Sequence, residues 1–175
     1  MDRQWGRAGV GWAAILFGAT GCMSNNVPLT AQEIETERTM TEYVSRKAGC
    51  ERTWYQKAFS VFFPPPCTYS VTLFNDNDAV RYDTVGGHFV VHVHGSTRNW
   101  CDADSSWLKA EAARLARQVL PVLHYRRNHD WLRVEFVAEI SEGRLSSSVP
   151  CEKRLELSIA DTTAWQSAAV TVMQR

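Results

Sequence analysis

The chain has little of what usually announces a function. Its 175 residues carry 19 Lys plus Arg against 19 Asp plus Glu, so charge of neither sign is in excess. A surface balanced in this way sets up no field strong enough to gather a polyanion, and nucleic acid is not an expected partner. Glycine and proline are few, 10 and 6, which excludes collagen-like repeats and low-complexity disorder. No apolar run reaches the ~20 residues that a membrane-spanning helix needs. A glycine-rich phosphate loop, a G-x-S-x-G nucleophile elbow and a C-x-x-C pair are all missing. Nucleotide hydrolysis, serine-elbow catalysis and dithiol redox chemistry therefore lack their usual motifs. What is present is 45% hydrophobic and 22% charged, the composition of a folded chain with one well-filled domain and a short appendage.

The appendage is at the start. Arg3 and Arg7 make it positive, and residues 8–20 form an apolar stretch containing Val10, Trp12, Ile15, Leu16 and Phe17. About 13 residues are too few for a permanent span and suit the apolar centre of a secretory signal, so residues 1–21 read as a signal peptide. Ala19-Thr20-Gly21-Cys22 resembles the lipobox of bacterial lipoproteins, with Ala19 where that class usually has Leu. The resemblance covers the leader alone. It implies cleavage before Cys22, lipidation of Cys22 with acyl chains such as palmitate, and a domain held on a membrane without crossing it. Residues 22–29 then form the tether, with Asn25, Asn26 and Pro28 discouraging regular structure, and residues 30–175 the single domain. Met23 stands where an Asp commonly retains lipoproteins in the inner membrane, so the expected location is the outer membrane, facing the periplasm. Loss of Arg3, Arg7 and Asp2 removes two cations and one anion and moves the balance only to −1.

Cysteine usage fits an oxidising compartment. Cys50, Cys67, Cys101 and Cys151 are even in number, and none of their spacings contains the tight ligand pair that zinc sites favour. Two disulfides are expected, Cys50 with Cys67 and Cys101 with Cys151, the first closing the shortest available loop.

Periodicity places the elements. Thr30-Ala-Gln-Glu33 has the form of a capping box and predicts a helix with a thin stripe of Ile34, Thr41, Val44 and Ala48, stopped near Gly49 and peripheral to the core. Phe59, Val61 and Phe63 alternate before Pro64-Pro65-Pro66, and Tyr69, Val71 and Leu73 mark another strand. Asn75 to Asp78 reads as a turn, with residues 80–83 as a hairpin return. Phe89, Val91 and Val93 alternate with His88, Val90, His92 and His94. Leu108, Ala112, Leu115 and Val119 give the clearest helix, capped from Asp102, Asp104 or Ser105 and ended by Pro121. Leu132, Val134, Phe136, Ala138 and Ile140 alternate with Arg133, Glu135, Val137 and Glu139, and strands around Leu155–Ile159 and Val170–Val172 follow. The run Ser146-Ser147-Ser148 reads as a loop. The expected order is α-β-β-β-α-β-β-β, an α+β fold with a mostly antiparallel sheet and one long packed helix.

One pair of residues suggests metal chemistry. His92 and His94 lie on one strand face ~6.5–7 Å apart along the backbone, close enough to share an ion. The match to cupin-like and hydrolase-like patterns stops there, because Ser96, Thr97, Arg98 and Asn99 stand where further ligands belong. A third ligand would have to come from His124, His129 or a carboxylate brought in by folding. His124 to His129, with Arg133, form a basic cluster suited to phosphate or a glycan carboxylate. Trp54, Trp100, Trp107, Trp131 and Trp165 suit a core, or a sugar if clustered beside a groove. No catalytic residue and no cofactor are expected. The leading reading is a lipid-anchored binding or scaffold domain of the cell envelope, its partner an envelope protein or polymer. The rival is a metal-dependent periplasmic enzyme built on His92 and His94.

Overall fold

The first helix forms where the capping box lies. In the structure, a computed structural model that describes residues 27–50, 67–96, 99–141 and 147–173, the Glu33 amide donates to Thr30 Oγ1 at 3.3 Å and the Thr30 amide donates to Glu33 Oε2 at 2.7 Å. Helix α1 (Ala31–Lys47) starts from this cap. Gly49, at φ +72°, takes the left-handed conformation that closes its end.

The buried stripe of α1 differs from the expected one. Val44 is buried as expected, but Ile34 is 54% exposed, and Met40 and the Glu33 side chain are buried in addition. The reason is that α1 runs beside strand β1 (Tyr69–Phe74) at the sheet edge and meets its backbone. The Val71 amide donates to Thr41 Oγ1 at 2.9 Å, the Leu73 amide donates to Glu37 Oε2 at 2.8 Å, and Ser45 Oγ donates to the Tyr69 carbonyl at 3.3 Å. Polar residues on a helix thus occupy backbone groups that an edge strand leaves unpaired.

The expected strand at 80–83 does not form; a short helix ends at Arg81 and residues 82–83 turn. Asp76 accepts from the Asp78 and Ala79 amides at 3.2 and 3.1 Å and caps helix α2 (Asn77–Arg81). Its buried Ala79 presses on Gly87, where a Cβ would stand 2.5 Å from the alanine methyl. The hairpin partner of β1 is therefore β2 (Gly87–Gly95), antiparallel from Tyr69 opposite Gly95 to Phe74 opposite Val90. The alternating segment Phe59 to Phe63 and the three prolines lie outside the described residues.

A short helix, α3 (Asn99–Asp102), leads into α4 (Ser105–Val119), N-capped by Asp104 and ending ahead of Pro121. Leu108, Leu115 and Val119 of α4 are fully buried against the sheet. After the crossover β3 (His129–Ser141) runs parallel to β2, and β4 (Ser147–Ser158) and β5 (Val170–Met173) return antiparallel. Ser147 and Ser148 begin β4 opposite Ser141 and Ile140. Pairing along a long hairpin outweighs the weak strand preference of serine.

The sheet order is β1-β2-β3-β4-β5, so the fold is α+β with a mostly antiparallel sheet and one parallel pair. Its core is one cluster, with Phe89, Val91, Val93, Leu132, Val134, Phe136, Leu155 and Leu157 under α4. Both expected disulfides form, with Cα atoms 5.2 Å apart for Cys50–Cys67 and 5.7 Å apart for Cys101–Cys151. Among the described residues no helix is long and apolar enough to cross a membrane.

Candidate functional site

Strand alternation sends every second side chain to the sheet face opposite α4. Register lines these up in rows: His92, Glu135 and Arg154 stand side by side across β2, β3 and β4, and Arg133 stands beside Glu156 in the next row. Opposite charges meet along the rows. Arg154 Nε lies 3.0 Å from Glu135 Oε1, and Arg133 Nη2 lies 3.0 Å from Glu156 Oε1. This face is the charged outer surface that the alternation of Arg133, Glu135 and Glu139 implied.

All three β2 histidines are engaged by carboxylates here. His88 Nε2 is 3.5 Å from Glu156, His92 Nδ1 is 3.3 Å from Glu135 and His94 Nε2 is 2.9 Å from Glu139. The His92 hydrogen bond, helped by the charge of Arg154, holds the Glu135 carboxyl below the usual carboxylate range against the effect of its burial. An ionised carboxylate only accepts, so the His92 nitrogen facing it carries a proton.

Among the described residues, neither His124 nor His129 joins this pair. His124 is exposed and packs edge-on against Tyr125. His129 is buried at the start of β3, with Nε2 3.2 Å from Asn75 Oδ1. Burial lowers its affinity for a proton, opposed by the nearby charges of Asp76 and Glu33. Among the described residues no group of three or more His, Cys, Asp or Glu is placed to hold a metal ion.

A second candidate emerges where β3 begins. The short 3₁₀ turn Arg126–Asn128 and the end of β4 enclose an open cavity of about 800 Å³ lined by Arg126, Arg127, His129, Asp130, Trp131 and Ser158. A smaller cavity of about 340 Å³ shares Trp131 and Ser158 and is walled by Glu156, Asp161 and Ser167. Trp131, 39% exposed, stands between the two. Arg127 is tied to Asp83 at 2.9 Å, whereas the side chains of Arg126 and Asp130 have no polar protein partner among the described residues. His129 Nδ1 is also buried without a partner.

The basic cluster was legible in the sequence, but Trp131 was grouped there with four other tryptophans. Trp100 and Trp165 are core residues, Trp107 is half-buried, and Trp54 lies outside the described residues. The available signal was position: Trp131 alternates with buried Leu132 and Val134 and so had to share the polar face with Arg133. Cys22 and residues 1–21 also lie outside the described residues. Comparison of the chain with known protein families, curated proteins and solved structures finds no match.

Proposed function

We propose that the chain is a lipid-anchored binding or scaffold domain of the bacterial cell envelope, attached through Cys22 to the outer membrane and facing the periplasm, with an envelope protein or envelope polymer as its partner. One geometric observation supports binding above all: a partly exposed tryptophan in the walls of two open cavities, flanked by an arginine and an aspartate whose side chains have no polar partner among the described residues. Large amphipathic rings with uncommitted polar neighbours are typical of surfaces that hold a ligand. The leader and its resemblance to a lipobox support the anchor, and the two disulfides suit an oxidising compartment.

Intact mass of the purified native protein tests the anchor. Acylated protein beginning at Cys22 supports it, and a chain that begins at Met1 without acyl mass overturns it. Cys22→Ser should release the protein from membranes or block its processing, and crosslinking on intact membranes before and after that change identifies the partner held at the anchored position.

A second reading, a metal-dependent periplasmic enzyme, draws on a different observation. His92 and His94 each have one ring nitrogen on a glutamate, the outer-shell arrangement that orients metal-binding imidazoles. Two nitrogen ligands would leave the remaining coordination positions open. Elemental analysis showing about one zinc, copper or iron per chain, lost in His92→Ala, would favour this reading.

A further inference from the structure

The groove divided by Trp131 has more specificity in it than a general binding surface needs. Tryptophan presents a large rigid π-face, and a solvent-exposed one near the end of a β-strand offers sugar rings a place to stack. Here two cavities share Trp131 in their walls, so one exposed indole serves both. The larger cavity, about 800 Å³, falls within the ~300–1,000 Å³ of small-ligand sites, and the second extends the groove beyond it.

The polar groups divide into committed and uncommitted ones. In the smaller cavity Glu156 is occupied by Arg133 and His88, and Asp161 accepts from the amides of Thr163 and Ala164. In the larger one Arg127 is held by Asp83. Arg126 and Asp130 remain without protein partners among the described residues, and both line the larger cavity. An arginine that has no carboxylate of its own suits a carboxylate on a ligand, which it meets through two parallel N–H donors. An aspartate beside an aromatic ring accepts from sugar hydroxyls.

We infer that this groove binds an acidic polysaccharide, with sugar rings on either side of Trp131 and a carboxylate-bearing residue held by Arg126. The inference rests on the reading of the chain as an envelope binding domain and names both the site and the class of polymer.

Calorimetric titration of the detergent-solubilised full chain tests it. The probes are a hexasaccharide alternating glucuronic acid with N-acetylglucosamine, and the neutral hexamer of N-acetylglucosamine. The acidic probe should bind more tightly than the neutral one. Trp131→Ala should weaken both by about tenfold, the size of one good aromatic contact. Arg126→Gln should weaken the acidic probe by about tenfold and leave the neutral one unchanged. Both residues are solvent-exposed, and unchanged far-ultraviolet dichroism with a cooperative thermal transition confirms folded variants. Binding of neither probe overturns the inference, as does acidic-probe binding that survives Trp131→Ala or a loss in Arg126→Gln shared equally by the two probes. Failure here with acylation and membrane attachment intact leaves the anchored-domain reading standing, while saccharide binding by a protein that begins at Met1 without acyl mass removes that reading alone.

Discussion

The two faces of the sheet are built from the same strands and follow opposite rules. Toward α4, Phe89, Val91, Val93, Leu132, Val134 and Phe136 are almost completely buried, and their contribution is apolar area removed from water. Away from α4, His92, Glu135, Arg133 and Arg154 sit half-buried in rows of alternating charge. Each strand supplies both faces, so the difference comes from one residue of offset in the alternation. The inner face stabilises the fold, while the outer face is organised enough to present fixed side chains and open enough to be reached.

Substitutions separate the two. Phe136→Ala on the inner face should cost about 3–5 kcal/mol, because a fully buried ring is removed from a cluster that also holds Trp100 at 5.2 Å. Urea denaturation measures it, and a loss below about 1 kcal/mol would mean that the inner face does not form the core described. Glu135→Gln on the outer face should cost about 1–3 kcal/mol, since the half-buried carboxylate serves both His92 and Arg154. A change within error would reduce the rows to surface decoration.

Acid distinguishes the faces further. His129 binds a proton less readily when folded, so the unfolded chain takes up protons first as pH falls. The stability associated with its neutral form is therefore present above the ordinary histidine range and lost as pH drops through it. Glu135 is held below the usual carboxylate range, and its contribution is lost only at lower pH, as the carboxylates protonate. Denaturation midpoints against pH should show two successive losses, the upper one missing in His129→Gln and the lower one reduced in Glu135→Gln. The smallest effect belongs to Arg133→Ala. Its partner Glu156 is 45% exposed, and such a pair contributes about 0–1 kcal/mol, so thermal melting should barely move.

The edges of the sheet show what could not be read in advance. A sequence scan seeks apolar residues for a helix to bury and so places Ile34 beside Thr41 on the inner stripe of α1, whereas it is Glu37 and Ser45 that join Thr41 against the backbone of β1. The choice depends on the strand beside it, which no local window contains. The same limit explains residues 77–81, where Asp76 caps a helical turn and Ala79 meets Gly87 across the chain.

Local signals that are complete within a few residues were decided by the sequence itself. The capping box at Thr30, the stop at Gly49, the period of α4, and the inward and outward alternation of β2 and β3 each depend on neighbours one to four positions away. The two disulfides were also legible, because an even set of four cysteines with one short loop left few sensible pairings. Tertiary structure alone decided which strands run parallel, that the β2 histidines face glutamates, and that two open cavities meet at Trp131. Those outcomes depend on residues tens of positions apart meeting in space, and pairing across strands, not composition, determines which of them do.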